Sequence, residues 1–120
     1  MKTNTDPAGA QWYTPKGQLD KPEEDREQYK IRGLVGTEVM DVTFFADEEG
    51  RMSMTARGGN SCLRVGLLGW QNRKAAGGTD IAFDEKDWKA NVAGLNPLDV
   101  IDLALEIWNR TFLSEAQKKT

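Results

Sequence analysis

Carboxylate side chains are the residues of this sequence that come nearest to forming a chemical site. Asp80, Asp84, Glu85 and Asp87 lie close together in the chain, and such a cluster could gather around Mg²⁺. The same acids fit the start of a helix capped by Asp84, where the helix dipole favours negative charge without any metal. A second acidic group, residues 47–49, lacks the alternating oxygen ligands of a calcium loop. We therefore predict no metal and no cofactor.

The rare and missing residue types restrict catalysis further. The chain has no histidine, which excludes the Ser-His-Asp and Cys-His arrangements. Its one cysteine, Cys62, cannot build a tetrahedral zinc site alone, and its apolar neighbours are typical of a core residue. The glycines of residues 33–36 and 77–78 lack the spacing of a phosphate-binding loop. Carboxylate and lysine chemistry remain, but at no recognisable spacing, so we expect a protein that is not an enzyme.

Charge and composition exclude several kinds of partner. The net charge is -3 and the isoelectric point is about 5.0, which argues against tight nonspecific binding of nucleic acid. No apolar run approaches the roughly 18–20 residues that cross a bilayer, and the first residues lack the apolar segment of a signal peptide. The lone cysteine excludes an internal disulfide and suits a reducing compartment. We expect a cytoplasmic protein with neither a nucleic-acid partner nor a membrane partner.

The order of patterns along the chain predicts a small single domain of the α+β class, mainly α. It should contain a short β-hairpin or strand pair, three to four helices and a flexible N-terminal arm. The arm is residues 1–22, where three prolines and few aliphatics offer little apolar surface to offset ordering entropy. Within it, Trp12 and Tyr13 could pack on the domain or anchor a partner. Residues 23–113 are the predicted globular domain and 114–120 a polar C-terminal tail.

The middle of the chain leaves helix and strand in competition. Residues 29–34 alternate apolar and polar side chains, which indicates a strand. Residues 39–45 fit either a helix capped by Thr37 or a strand; in the latter case they form a hairpin with residues 51–55. A helix capped by Asn60 or Ser61 is predicted for residues 62–70. Close packing of that helix against another would account for Gly66 and Gly69.

The clearest prediction is a helix over residues 97–112. Asn96 is suited to cap it and Pro97 to occupy its first position. Apolar residues then recur at steps of three and four: Leu98, Ile101, Leu105, Trp108 and Phe112, widened by Val100, Leu103, Ala104 and Ile107. This apolar sector is wider than one core face requires. The excess is therefore either buried on a second side or offered to a partner.

Four segments in the same order resemble one protein family. YKIRGLVGTE, starting at Tyr29, is similar to an FKLRPLTGxE opening, and CLRVGLLGWQN, starting at Cys62, to an ALRxGLxGWEN segment. IAFD, starting at Ile81, matches an extended piece before a helix, and LSE, starting at Leu113, matches the end of the final helix. These segments cover about residues 29–118 and resemble the small tail assembly chaperones of long-tailed bacteriophages. Gly33 and Gln71 stand where the family pattern has proline and an acid.

The resemblance implies a non-enzymatic chaperone in the host cytoplasm. It would bind the apolar helical tape-measure protein, keep that protein soluble during tail assembly and help to recruit the tail-tube protein. The partner-binding residues we predict are Trp70, Leu98, Ile101, Leu105 and Trp108, with burial in the core as the alternative for each. A homo-oligomer is compatible with the sequence.

Two other functions remain open at this point. One is a minor virion structural protein of the tail or head-tail connector, whose N-terminal arm would order on a neighbouring subunit. The other is a phage-encoded inhibitor of a host protein, acting through acidic surfaces at residues 23–27 and 47–49.

Overall fold

The computed structural model describes the backbone of residues 10–119 and the side chains of residues 10–112. Five strands and three α-helices lie within this part of the chain, together with three short 3₁₀ turns, and the predicted small α+β domain is confirmed. The strands are β1 Gln11–Tyr13, β2 Gln28–Ile31, β3 Phe44–Ala46, β4 Met52–Met54 and β5 Leu67–Gln71. The helices are α1 Ala56–Gly66, α2 Trp88–Ala93 and α3 Pro97–Lys119, and the 3₁₀ turns are Lys16–Gln18, Glu23–Asp25 and Gly36–Asp41.

A three-stranded antiparallel sheet has the order β1-β2-β5, with β2 in the centre. The predicted strand over residues 29–34 is confirmed as β2, one residue earlier at its start and shorter at its end. Tyr29 and Ile31 are fully buried and the intervening Lys30 is less so, as alternation across a pleated strand requires. Tyr29 pairs with Trp70 across the sheet, and the register shifts between Lys30 and Ile31.

The predicted flexible arm is wrong for residues 10–22. Gln11–Tyr13 forms the edge strand β1 on β2, and Pro15 and Gln18 are buried. Backbone pairing and polar contacts with α3 supply the stabilisation that the low aliphatic content of this segment does not. The domain therefore begins before residue 23. Residues 1–9 of the predicted arm lie outside the described residues.

A separate hairpin joins β3 to β4, so the strand alternative for the middle of the chain is correct for these residues. Phe44 lies opposite Met54, and Ala46 lies opposite Met52. Asp47 organises the turn, because its Oδ1 accepts hydrogen bonds from the backbone amides of Glu49 and Arg51 at 2.9 and 2.8 Å. Residues 36–41 before the hairpin form a 3₁₀ turn rather than an α-helix capped by Thr37.

The helix predicted over residues 62–70 is displaced in the structure. Helix α1 begins at Ala56, where the hydroxyl of Thr55 accepts a 3.0 Å hydrogen bond from the Gly58 amide, and it ends at Gly66. The following apolar residues belong to β5. A buried strand and a buried helix give the same unbroken apolar run in a sequence. Here the residues form a strand, because their backbone pairs with β2.

Glycine allows α1 to approach its neighbours closely. A Cβ atom on Gly66 would lie 2.5 Å from Cγ2 of Ile107 on α3, and one on Gly58 would lie 2.6 Å from the carbonyl oxygen of Thr43. Close helix packing at Gly66 is thus confirmed. Gly69 lies in β5 with open space around its Cα, so the packing explanation is wrong for that residue.

Helix α2 begins later than predicted. Its cap is Asp87, whose carboxylate accepts a 3.1 Å hydrogen bond from the Ala90 amide, so the cap predicted at Asp84 is wrong. Asp84 instead precedes the helix. Its amide donates to Oδ1 of the buried Asn91 at 2.9 Å, and its carbonyl accepts from Nδ2 of Asn91 at 2.7 Å. This exchange fixes the loop before α2.

Helix α3 starts where the sequence predicts and ends later. Oδ1 of Asn96 accepts a 2.9 Å hydrogen bond from the Leu98 amide, and Pro97 is the first helical residue. The helix continues to Lys119, so it extends past its predicted end at residue 112 and through residues 114–119 of the predicted polar tail. The core lies between α3, α1 and the sheet. No helix within residues 10–119 combines the length and apolar character needed to cross a bilayer.

Candidate partner-binding surface

One face of α3 forms the centre of the core. Leu103 and Ile107 are fully buried, and Ala104 nearly so. They pack in one cluster with Leu63 of α1 and Ile31 of β2. These α3 residues recur at steps of three and four, the spacing that places side chains on one side of a helix. The core therefore uses the residues that widen the predicted apolar stripe of this helix, and the residues of the stripe itself are more exposed.

A second face of α3 carries carboxylates, and the N-terminal segment covers it. Asp102 accepts hydrogen bonds from the Tyr13 hydroxyl and from the Lys16 amide, each at 2.7 Å. The buried Asp99 accepts a 3.0 Å hydrogen bond from Nε2 of Gln18. Asp102 and the burial of Tyr13 both keep the tyrosine pKa above its ordinary value, with burial the larger cause. The polar side of α3 is thus largely used for contacts within the domain.

The contact between α3 and the N-terminal segment continues along the helix. Nη1 of Arg110 donates to the side-chain oxygen of Gln11 at 2.5 Å, and its Nε donates to Glu106 at 3.0 Å. The Arg110 guanidinium also lies over the Tyr13 ring, 5.5 Å from its centroid. β1 and the 3₁₀ turn after it are therefore held to two successive parts of α3.

The third face of α3 is apolar and exposed. The relative exposure of Leu98, Ile101 and Leu105 is 74%, 57% and 45%, and Phe112 is similarly exposed. An amphipathic surface helix normally covers its apolar side and leaves its polar side to water. Here the carboxylate face is covered and an apolar face remains open, and contiguous exposed apolar surface of this kind is typical of an interaction site.

The exposed face of α3 forms one wall of a groove, which we call the α3 groove. The β3–β4 hairpin forms the opposite wall and the start of α1 contributes the floor. Its volume is about 810 Å³. The main lining residues are Ile101, Leu105 and Trp108 from α3, Phe44, Met52 and Met54 from the hairpin, and Ala56, Gly59 and Asn60 from α1.

Two properties of the α3 groove suit it to a side chain or helix from another molecule. Gly59 lies in the floor, where a Cβ atom would meet only Ala104 and Met54 at ordinary contact distances, so the groove is not blocked there. Met52 and Met54 line the hairpin wall, and Met52 is largely exposed. Methionine is flexible and polarizable, which lets such a wall adapt to differently shaped apolar partners.

The structure brings together three of the five predicted partner-binding residues. Ile101, Leu105 and Trp108 line the α3 groove. The Trp108 ring is half-buried and packs between Phe44 and Phe112, with ring centroids 5.0 and 4.9 Å away. It closes one end of the exposed apolar face while anchoring the hairpin to α3. Leu98 lies one turn before Ile101, on the same exposed face but outside the groove lining.

Trp70 lies in a different cluster. Its ring packs edge-on against Phe83 and Tyr29, at centroid distances of 4.9 and 6.2 Å. Its Nε1 donates a 2.7 Å hydrogen bond to the carbonyl oxygen of Ile81, and Arg73 lies 4.6 Å from the ring centroid. Trp70 therefore lies apart from the other four predicted partner-binding residues. The residue fastens the loop after β5 to the sheet.

The hairpin wall is the part of the surface that the sequence interpretation missed. Met52 and Met54 are separated by one residue, and Phe44 pairs with Met54 across the hairpin. The alternation of methionine and polar residues in residues 51–55 places Met52 and Met54 on one side of a strand. That signal was available in the sequence, but it does not indicate which helix the methionines face.

The predicted acidic surfaces are paired with cations only in part, since Glu23, Glu24 and Asp25 are exposed and take part in none of the ion pairs found among the described residues. Asp47 and Glu49 both pair with Arg51, at 2.9 and 3.1 Å, and hydrogen bonds from the Arg51 backbone and other groups keep the pKa of Asp47 below its ordinary value. Glu27 lies 3.5 Å from Arg73. Of the acids weighed as a Mg²⁺ cluster, Asp80 pairs with Lys74 and Asp87 caps α2. The described residues contain no group of side chains arranged to hold a metal ion.

Cys62 is a core residue, as its apolar neighbours indicate. The side chain is fully buried in α1, and burial raises the pKa of its thiol to about 11. A protonated, inaccessible thiol is a poor nucleophile at neutral pH.

Comparison of the chain with protein-family models, with curated proteins and with solved structures gives no match.

Proposed function

We propose that this protein is a tail assembly chaperone of a long-tailed bacteriophage, a non-enzymatic protein that binds the tape-measure protein in the host cytoplasm. The observation that carries the proposal is the exposed apolar face of α3, opening into a groove between α3 and a methionine-bearing hairpin. An apolar face of this kind fits a client helix, which would lay its own apolar side chains into the groove. The sequence resemblance supplies the kind of client.

The energetics of the groove fit reversible binding of an apolar helix. Covering the exposed parts of Leu98, Ile101 and Leu105 contributes roughly 1 kcal/mol for each side chain. Met52 and Phe112 add to this on either side of the stripe. The loss of translational and rotational freedom opposes association by several kcal/mol. The apolar contribution from this chain and the opposing loss of freedom are of similar size, so we expect binding of a client helix to be reversible rather than tight.

The two alternative functions receive less support. The virion structural alternative depends on an arm that orders on a neighbouring subunit, but residues 11–18 pack on α3 of their own chain. The inhibitor alternative depends on free acidic surfaces. Asp47 and Glu49 pair with Arg51, and Glu27 with Lys21 and Arg73, which leaves the exposed Glu23, Glu24 and Asp25 to form such a surface. Neither alternative uses the exposed face of α3.

Co-expression with segments of the tape-measure protein from the same genome tests the proposal. We expect the full chain to raise the soluble fraction of at least one apolar segment and to co-purify with it. Leu105→Glu should abolish both effects, because it places a charge in the α3 groove. Leu19→Glu is the matched control: Leu19 is exposed to 52% but lies outside the groove lining.

Two outcomes would contradict the proposal. One is that every tape-measure segment stays insoluble in the presence of the wild-type chain. The other is that binding survives Leu105→Glu while circular dichroism shows both variants to be folded, because the client would then bind elsewhere.

A further inference from the structure

A basic cleft adjoins the α3 groove along the start of α1. Its volume is about 710 Å³. Three cations line it, Arg57 and Arg64 from α1 and Lys89 from α2, together with the carboxylate of Asp41. Met40, Thr43, Asn60, Ser61 and Trp88 complete the lining. The cleft therefore carries a local excess of positive charge on a chain whose net charge is -3.

The cations of the basic cleft differ from most arginines in the domain. Arg32, Arg51 and Arg110 each pair with a carboxylate at 2.9–3.1 Å, and Arg73 lies 3.5 Å from Glu27. Arg57, Arg64 and Lys89 are exposed, and none forms an ion pair within the described part of the chain. These three charges are thus available to a bound molecule.

The start of α1 forms the floor of the α3 groove and also lines the cleft. Ala56, Gly59 and Asn60 face the α3 groove, whereas Arg57, Asn60 and Arg64 face the cleft. Asn60 belongs to both linings. Arg57 and Arg64 are seven residues apart, which places them on one side of the helix. A helix lying in the groove would therefore have this row of guanidinium groups along one flank.

The α3 groove itself is lined by no charged residue, so the charge beside it is that of the basic cleft. We infer that the occupant of the groove is an amphipathic helix that carries glutamate or aspartate on the flank facing α1. The inference rests on the proposed function and adds the charge pattern of the client. Apolar burial supplies the affinity, and the charged flank sets the direction in which the helix lies.

Two synthetic helical peptides test this charge pattern. Each has about 18 residues, or about five turns, and each carries the same leucine face. On one flank of that face the first peptide has glutamates and the second has lysines. We expect the full-length wild-type chain to bind the glutamate peptide about fivefold more tightly at low salt, which is the scale of a few exposed ion pairs. The net charge of the protein alone would favour the lysine peptide, so the expected preference runs against it.

Charge-reversed variants locate the origin of the preference. Arg57→Glu combined with Arg64→Glu should reverse it. Lys16→Glu combined with Lys86→Glu changes the net charge equally, at exposed positions outside the groove and cleft linings, and should leave the glutamate peptide preferred. Leu105→Glu should abolish binding of both peptides. Fluorescence anisotropy gives the affinities, and sedimentation velocity reports self-association of the chain.

Each other result has a distinct meaning. Equal affinity for the two peptides, with both lost in Leu105→Glu, would overturn the charge pattern and leave groove binding intact. A glutamate preference that survives reversal of Arg57 and Arg64 would also overturn it. If neither peptide binds, and the chain forms a dimer that Leu105→Glu dissociates, the groove is filled by a second copy. That result would overturn the inference and the proposed function together.

Discussion

The hydroxyl of Tyr13 donates a 2.7 Å hydrogen bond to the carboxylate of Asp102, joining residues 89 positions apart in the chain. The contact attaches the edge strand β1 to the carboxylate face of α3. The Lys16 amide binds the other oxygen of the same carboxylate at 2.7 Å. Asp102 thus receives both a side chain and the backbone of the N-terminal segment, and the segment belongs to the domain through these polar contacts.

Tyr13→Phe tests how much this contact stabilises the fold. The change removes the hydroxyl alone and leaves Asp102 with one hydrogen-bond donor fewer, so we expect the free energy of unfolding to fall by about 1–2 kcal/mol. Trp12→Phe is the control, because Trp12 is exposed on the same strand, and it should change stability by less than about 0.5 kcal/mol. Urea denaturation measures both. Equal losses in the two variants would show that the hydrogen bond contributes nothing of its own.

Substitutions at two nearby leucines of α3 should have opposite effects, one mainly on stability and the other mainly on binding. Leu103 is fully buried and Leu105 is on the exposed face. Leu103→Ala should lower the free energy of unfolding by about 2–5 kcal/mol, and Leu105→Ala by less than about 1 kcal/mol. Binding to a tape-measure segment should show the reverse order among folded variants. Thermal and urea denaturation provide the stabilities, and comparable losses in both variants would mean that Leu105 is packed in solution.

Gly66→Ala tests the contact between α1 and α3. Alanine is about 1 kcal/mol better than glycine in an open helix position, but its Cβ atom would lie 2.5 Å from Ile107. We expect the steric conflict to prevail, with a net loss of about 1–3 kcal/mol in the free energy of unfolding. Gly69→Ala, with open space around the Cα, should be neutral or stabilising. A stabilised Gly66→Ala variant would show that the helices can move apart at little cost.

The ion pair between Arg32 and Glu38 predicts a pH dependence. Both guanidinium nitrogens Nη1 and Nη2 of Arg32 donate to the Glu38 carboxylate at 2.9 Å. These bonds, with a further one from the Val35 amide, hold the pKa of Glu38 below its ordinary value of 4.5. Because the folded pKa is the lower one, the stabilisation is complete above the unfolded pKa and is lost as the pH falls through the folded pKa.

Glu38→Gln gives the measurement for that pH dependence. The variant should be less stable than the wild type near neutral pH, and the two unfolding free energies should converge as the pH falls below 4.5 and Glu38 becomes protonated. Urea denaturation over a pH series follows the difference. A difference that stays constant down to acid pH would assign the effect of the substitution to packing rather than to charge.

The sequence predicts α3 and β2 well for a physical reason. Asn96 and Pro97 are a local start signal, and the apolar period that follows is long and regular. Residues 67–70 give no such signal, because an unbroken apolar run fits a buried strand as well as a buried helix. The N-terminal segment is missed for another reason. Its stabilisation comes from hydrogen bonds to Asp99 and Asp102, far away in the chain, and composition does not reveal such contacts.

The candidate surface was predictable only in outline. The width of the apolar sector on residues 97–112 indicates that some of these residues lie outside the core. Which ones do so depends on where α1 and the hairpin pack, and this places Leu103 and Ile107 inside and Leu98, Ile101 and Leu105 outside. Trp70 shows the limit of assigning residues by type, since a tryptophan typical of interfaces is here a structural anchor.

The three faces of α3 have a consequence for how this protein can change over evolutionary time. Folding depends on Leu103 and Ile107 and on the carboxylates that hold the N-terminal segment, whereas the exposed stripe depends on other positions of the same helix. Substitutions at Leu98, Ile101 or Leu105 can therefore accumulate without loss of the fold. Under the proposed function, the chain can follow a diverging client by altering these positions alone, and sequence identity on this stripe should then decline faster than on the rest of the helix.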